Sequence, residues 1–564
     1  MKFGIAGWSP VVGAPASATE FDVVVAGSGA AGLAAALTAA RGGLSVLILE
    51  KSDKLGGTSA MSGAGTWIPA NHLAKAAGLA DSPEEALTYL RATAPKGWQT
   101  AEDALWRAFV DNAPRLLEFV ERETPLRFEL IAEPDPIAER PGGKLRGRML
   151  STLPLSRRIV GRYGALIRRS TLPHLLTYRE TIELDPYHRP IAVVLRLLPK
   201  LARRWLSGSA AQGNSLVVGL LKGCLDLGCR IELGARVVEL ITETQGGRIV
   251  GVVVDQQEVR TRFTARRGVV LATGGFEWSH ELFTRYFPGP IDRIGSPRSN
   301  TGDGQRLAQS VGARLDRMDQ ANIYPNIPAR YEGRRHGMPA TFQAEPHAIL
   351  VDRNGRRFIS EYDYNIGEAI DRRDPASGEP MHLPCWVIGD SRYLSRSPML
   401  RWYARNEPSW IHRVSSLAEL AKKIGVPADA LAETVARFNA FCAAGRDADY
   451  QRGESTWQRY KSGWDNPNAP NPTLGPIEQR PFVALSFNRS TVGTKGGART
   501  NERGQVLRPD GSVVAGLFAA GNVMANPIGT RAVGAGTTIG PCMTWGYICG
   551  QTLMMENPPA MGHH

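Results

Sequence analysis

The chain has 564 residues, of which 43% are hydrophobic and 21% charged, and its formal net charge is +13. This balance excludes an intrinsically disordered polypeptide and supplies apolar material for more than one core. The longest apolar runs, such as Ile191 to Leu198, fall far short of the roughly 20 residues of a bilayer span, which excludes a transmembrane helix.

Residues 1–19 carry a lone Lys and no sustained apolar core, so they read as a loose leader and the expected compartment is the cytoplasm. "FDVVVAGSGAAGLAAALTAARGGLSVLILEK" follows: a β-branched run, a turn at Gly27-Ser28-Gly29-Ala30-Ala31-Gly32, an Ala/Leu helix to about Arg41, and a second strand ending at Glu50 and Lys51. This is a dinucleotide-binding pattern. The first glycine permits the tight turn, the second lets backbone approach a pyrophosphate, the third lets helix pack on strand, and Glu50 accepts from ribose hydroxyls.

FAD is the expected dinucleotide. "LGGTSAMSGAGTWIP" places the small residues Gly57, Thr58, Ser59, Gly63 and Gly65 where a pyrophosphate and flavin edge lie close to backbone. The chain then returns to the cofactor through the strand–turn–strand run containing Val237, through "GVVLATGGFEW" with Ala272, Thr273 and Gly274, and through "GLFAAGN" with Gly521 and Asn522. The fold class is α/β. No His stands between Gly56 and Gly65, so the FAD is expected to be noncovalent.

Between Arg140 and Arg204 there are fifteen Lys or Arg against three acids, which reads as a basic helical insertion over about 140–206. Its stretch 191–206 combines an apolar stripe with cations and is a candidate for peripheral contact with anionic lipid. No aromatic-studded basic groove accompanies the charge, so nucleic acid is not an expected partner. The six cysteines are scattered without CxxC or a His cluster, and no metal site is expected.

"GGTSAMSGAGTWIP", "LATGGFEW", "NTGDG" (Asn300 to Gly304, with Asp303), "GRRFISE", "STVGTKGGARTNERGQVLRPDGSVVAGLFAAGN" and "GAGTTIGPCMTWGY" together resemble the FAD-dependent 3-ketosteroid dehydrogenase and fumarate reductase superfamily, closer to the ketosteroid side. The resemblance runs from Phe21 to Leu553. It implies a two-dinucleotide-binding-fold FAD domain over 20–292 and 478–556, an inserted α+β cap domain over 293–477, and a tail at 557–564. Leu431, Val435, Phe438 and Cys442, on one face of a helix starting at Pro427, look like part of that cap.

The resemblance also implies the chemistry: removal of two hydrogens beside a ketone in an apolar cyclic, 3-ketosteroid-like substrate, with hydride to the flavin and electrons passed to an external acceptor. The second glycine loop, Gly529 to Ile539, supplies the backbone of Gly536, Thr538 and Ile539 to the flavin, and the Gly536 amide aligns with the family's donor to the substrate carbonyl. The proton acceptor aligns nearest Tyr364, with Tyr362 and Tyr324 in reserve. Two family tyrosines are missing: Ala532 stands ahead of the glycines, and Pro136 and Ile137 follow Asp135. Arg531 is a candidate to hold a substrate carboxylate or an enolate. Two other readings therefore stand, a reductase of an activated alkene held by Arg531, and a flavin-binding protein without turnover. His347 reads as structural, and Lys495 lies in a segment expected near the flavin.

Overall fold

The structure is a computed structural model that describes residues 19–244, 246–462 and 470–556; the leader before Thr19 and the tail at 557–564 lie outside the described residues. The β-branched run after Phe21 forms the strand Glu20–Ala26 inside an eight-stranded sheet. It pairs in parallel with Val46–Glu50 on one side and Val259–Leu271 on the other. These pair onward, again in parallel, with Arg230–Leu233 and Val513–Ala519. Parallel strands are covered on both faces, and every residue of Val46–Glu50 is buried. Arg236–Thr242 and Ile249–Gln256 form an antiparallel meander onto Val259–Leu271.

The covering layer explains the apolar stretch near the end of the chain. Helix Ile539–Met555 lies against helix Ala30–Arg41, and glycines set how closely. A Cβ on Gly546 would stand 2.2 Å from the carbonyl oxygen of Ala31, and one on Gly550 would stand 2.5 Å from Thr38 Cβ. Helix Gln212–Asp226 joins the same core through Leu216, Val217, Leu220 and Leu221.

A second sheet is antiparallel, in the order Ala348–Val351, Trp386–Gly389, Phe482–Ser486, Ile411–Val414. Alternation divides its side chains. Ile349, Val351, Ile388 and Ala484 pack on Leu420, Leu431, Val435 and Phe438, the last three from helix Ala428–Ala444. Leu350, Val387, Val483 and Leu485 pack on Phe342, Tyr393, Leu400 and Trp410. Because Phe482–Ser486 is an inner strand of this sheet, pairing carries it beyond the boundary at 477 expected from sequence. A three-stranded sheet of Ile291–Ile294, Arg489–Thr494 and Ala321–Ile323 connects the two parts.

The basic segment 140–206 is less helical than expected. It begins with strand Met149–Thr152, inserted between Thr66–Trp67 and Phe128–Leu130, and continues through the 3-10 stretch Arg157–Ala165. Only Tyr178–Leu184 and Pro190–Ser207 are α-helices there. Pairing with Trp67 and Leu130 captures the strand, an interaction that the local charge pattern does not report.

Candidate active site

A cavity of about 740 Å³ opens along the carboxyl ends of the parallel strands, the place where doubly wound sheets bind ligands. Its walls include Gly27, Ser28, Gly29, Ala31, Glu50, Lys51, Gly57, Thr58, Ser59, Gly63, Gly65, Val237, Ala272, Thr273, Gly274, Asp303, Gly521 and Asn522. At the other side stand Gly536, Thr538, Ile539, Tyr324, Tyr362 and Tyr364. Gly32 and Arg531 are not among the lining residues.

The first turn divides its glycines among separate tasks. Gly27 has φ +115°, and a Cβ there would meet the carbonyl oxygen of Ala272 at 2.3 Å. Gly32 would meet the carbonyl oxygen of Gly27 at 2.0 Å, so it serves helix-on-strand packing, which is why it does not line the cavity. Around Gly29 the nearest atom to such a Cβ is Ser59 Oγ at 3.6 Å, which leaves its backbone open to a ligand. Ser28 donates from its hydroxyl to Glu50 Oε2 at 2.6 Å and fixes the acid beside the turn. Lys51 and Arg236 converge on Asp303, with Lys51 Nζ at 2.9 Å and Arg236 Nε at 3.0 Å. The Thr273 hydroxyl is buried, lines the cavity and has no hydrogen-bond partner, so a ligand acceptor or donor is needed to satisfy it. This cradle of open backbone, a buried acid and an orphaned hydroxyl fits FAD.

Two buried residues join the distant segments that sequence reading could only set side by side. Gln305 donates to the carbonyls of Gly274 and Gly496, each at 3.2 Å, and to that of Asn522 at 3.4 Å. Glu277 accepts from Asn300 Nδ2 at 2.7 Å and from the Thr494 amide at 3.1 Å, while Asn300 also donates to Thr58 Oγ1 at 2.9 Å.

The second glycine loop is held from several sides. Trp106 donates to the Pro527 carbonyl at 2.9 Å, Tyr89 to that of Val533 at 3.1 Å, and Asn365 brackets Ala532 with bonds of 3.1 and 2.8 Å. Lys495 donates its ammonium to the Gly529 carbonyl at 2.6 Å, and burial pushes its pKa down to about 8. Gly536, at φ +82°, passes so close to the Thr66–Trp67 strand that a Cβ would stand 2.1 Å from the Gly65 carbonyl oxygen. Gly534 is pressed on the Trp67 indole, which donates to Asp135 Oδ1 at 2.8 Å. Arg148 clamps Asp135 at 2.9 Å. Asp135 is thus a support of the loop, and the segment that follows it contributes no tyrosine.

Arg531 departs from its expected role. Its guanidinium is spent on a bidentate pair with Glu368, at 2.8 and 2.7 Å, and on the Thr93 carbonyl at 2.9 Å. It therefore holds the loop from behind and offers nothing to a ligand carboxylate in the cavity.

The tyrosines converge, with one that sequence reading missed. Tyr364 is stacked edge-on against Trp457, ring centroids 4.7 Å apart. Tyr178, at the start of helix Tyr178–Leu184 whose capping box is Thr177 and Glu180, lays its ring on the backbone of Gly63 and Gly65. Its hydroxyl donates to Glu133 Oε2 at 3.4 Å. Burial and the Glu133 charge push Tyr324 up to about 12, and burial, Glu133 and Tyr324 hold Tyr364 well above the usual phenol range. Tyr362 also lines the cavity, but its ring faces the Arg452 guanidinium at 4.9 Å. Glu133 and Tyr178 carry no sequence signal for this meeting: one lies between two short strands and the other opens a helix on the basic segment. His347, by contrast, bonds the Pro476 carbonyl at 2.8 Å, as a structural residue does.

The model of the FAD binding domain family matches residues 22–539. The 4-oxocyclohexanecarboxylate 2-dehydrogenase of Sinomonas cyclohexanicum is 38% identical, covering 96% of this chain and 94% of that protein. The 3-oxosteroid 1-dehydrogenase of Mycobacterium tuberculosis (strain ATCC 25618 / H37Rv) is 37% identical, covering 94% and 97%. Among solved structures, the 3-ketosteroid delta1-dehydrogenase of Sterolibacterium denitrificans, in complex with 1,4-androstadiene-3,17-dione, matches with a TM-score of 0.86 and 31% identity, covering 95% of this chain and all of that one. Fold, cofactor cradle and likeness along the whole chain agree: the chain belongs to the FAD binding domain family, as an FAD-dependent oxidoreductase acting on CH–CH groups, like the 3-oxosteroid 1-dehydrogenases.

Proposed function

We propose that this chain introduces a carbon–carbon double bond beside the ketone of an apolar ring, with Tyr364 receiving the proton and the Gly536 amide holding the ketone oxygen. The observation that carries the reading is the convergence of Tyr364 and Gly536 on the same cavity as the FAD cradle. FAD bound in that cradle supplies an acceptor for the hydride that leaves the neighbouring carbon. The residues do the rest. Gly536 belongs to the turn that opens helix Ile539–Met555, so a carbonyl oxygen there meets backbone N–H groups and the positive end of the helix, which acidifies the adjacent C–H. Leu172, Leu176, Ile182, Met338, Ile366 and Met399 line the same cavity and exclude water around a ring. The relatives named above act on a 3-oxosteroid or on 4-oxocyclohexanecarboxylate, and a ring ketone is common to both. Anaerobic bleaching of the flavin against 3-ketosteroids, cyclohexanones and oxo acids tests the reading. Tyr364→Phe should slow bleaching by at least about a hundredfold; a wild-type rate would remove Tyr364 from the role.

The helix Pro190–Ser207 supports peripheral attachment to an anionic membrane. Ile191 is 75% exposed, Leu195 67% and Trp205 73%, and they are accompanied by exposed Arg196, Lys200 and Arg203. Leu172, 43% exposed, is an apolar residue of the same basic segment that lines the cavity. No helix of the described residues is long and apolar enough to cross a membrane. Vesicles rich in phosphatidylserine should co-float the protein at low salt. Leu195→Glu with Trp205→Glu should abolish flotation while leaving bleaching by a water-soluble cyclohexanone unchanged; flotation by the double variant would refute the assignment.

A further inference from the structure

We infer that Lys495 is the positive charge that answers the negative charge FAD gains on reduction, and that it makes the bound flavin easier to reduce. Lys495 is 1% exposed and lines the cavity. Arg148, Arg168, Arg357, Arg452 and Arg489 are the other buried Lys or Arg side chains among the described residues, and each pairs with a carboxylate. Lys495 has no carboxylate partner among the described residues; its ammonium bonds the Gly529 carbonyl at 2.6 Å. Holding a carbonyl does not require that charge. Trp106, Tyr89 and Asn365 hold the carbonyls of Pro527, Val533 and Ala532 on the same loop with neutral donors. A buried ammonium without a counter-charge is unfavourable, and that cost is offset when an anion forms beside it.

The surroundings of Lys495 say which anion. It follows Thr494, whose amide is bonded to Glu277, and precedes Gly496, whose carbonyl shares Gln305 with those of Gly274 and Asn522. Its charge acts on the thiol of Cys542, in the first turn of helix Ile539–Met555. Its neighbours are thus the second glycine loop and the helix behind it rather than the ribose-holding Glu50, so the part of FAD that comes to it is the flavin ring. Hydride delivers two electrons and one proton, so the flavin gains one negative charge, and the ammonium and the positive end of the helix meet it together.

The same arrangement gives the potential a dependence on pH. Burial pushes the Lys495 pKa down to about 8, and the charge gained on reduction raises it again, so above about pH 8 reduction also draws a proton onto the lysine. The other ionisable groups on the elements packed around it do not stand in its way: burial holds the Cys542 thiol up at about 12, Arg317 is paired with Glu102, Arg531 with Glu368, Glu277 is bonded to Asn300 and the Thr494 amide, and Asp319 is exposed.

Equilibrium reduction of the FAD-loaded protein by dithionite against an indicator dye reads the potential without any ketone, so a negative result leaves the reading of Tyr364 where it stands. Lys495→Gln keeps a donor for the Gly529 carbonyl and removes the charge. At pH 7 it should shift the balance from reduced toward oxidised FAD by at least about tenfold, a potential about 30 mV lower. The wild-type potential should fall by about 30 mV per pH unit between pH 7 and 8 and by about 60 mV per unit above that, as one and then two protons accompany the two electrons. Lys495→Gln should keep the shallower slope throughout. A purely structural lysine would move neither the potential nor its slope. If Lys495→Gln fails to retain FAD, the wild-type line alone decides. A variant within about twofold of the wild type, or a wild-type line that never steepens up to about pH 9.5, overturns the inference.

Discussion

Gly536→Ala isolates what the second glycine loop is for. The residue sits at φ +82°, a region that costs an L side chain roughly 1–2 kcal/mol. Its Cβ would stand 2.1 Å from the Gly65 carbonyl oxygen, 2.4 Å from the Gly65 carbonyl carbon and 2.7 Å from the Thr66 amide nitrogen. All three are backbone atoms, so no rotamer change relieves the overlap. The loop or the Thr66–Trp67 strand has to move by about 1 Å to restore normal contact, at a further cost of about 1–3 kcal/mol for overpacking. A total of about 2–5 kcal/mol should lower the thermal midpoint of the FAD-free protein by a few degrees, since roughly 2 cal/mol/K of unfolding entropy per residue divides it. FAD affinity should fall as well, because the displaced turn carries the amides of Thr538 and Ile539 that line the cavity. Differential scanning calorimetry of the FAD-free and FAD-loaded forms separates the two effects. An unchanged midpoint without FAD, with loss confined to the loaded form, would refute the argument that protein packing requires this glycine.

Arg531→Ala should cost stability by no more than about 1 kcal/mol, because the pair with Glu368 is about one-third exposed on both sides, and it should leave the bleaching rate within about threefold. A hundredfold loss in stopped-flow bleaching with an unaltered melting curve would return Arg531 to the chemistry. Glu361→Gln leaves the Arg357 and Arg452 guanidinium groups short of a buried counter-charge and should destabilise the protein by about 3–5 kcal/mol in denaturant unfolding. Burial opposes the Glu361 carboxylate, but Arg357 and Arg452 outweigh it and hold its pKa below the ordinary 4.5. The stabilisation is therefore complete above about pH 4.5 and is lost as pH falls below that value. An acid-unfolding curve identical in wild type and variant would contradict this sign.

The cofactor cradle was legible because its chemistry is local. A strand, three glycines, a helix and Glu50 follow one another in sequence, and each needs only its own neighbours to take shape. The second glycine loop was legible for the same reason, although the tight contacts of Gly534 and Gly536 are with Trp67 and Gly65, so part of the ligand signal was a packing signal. The grouping of polar side chains on the far wall of the cavity was not local. Tyr178, Glu133, Tyr324 and Tyr364 come from four separate segments, and side-chain periodicity in any one of them says nothing about which of the others it meets. The pairing of Arg531 with Glu368 was not legible either, because nearness in sequence to the loop does not fix which side of the loop a guanidinium takes.

By itself the sequence determined a doubly wound flavin fold with an inserted α+β unit, since hydrophobic periodicity and glycine placement act over a few residues. Only the tertiary structure decided that Phe482–Ser486 belongs to the second sheet, that Arg531 faces away from the cavity, and that a buried Glu133 stands behind the tyrosines. Strand pairing, ion pairing and burial of charge are settled by groups brought together from far apart in the chain, and those distances exist only once the chain has folded.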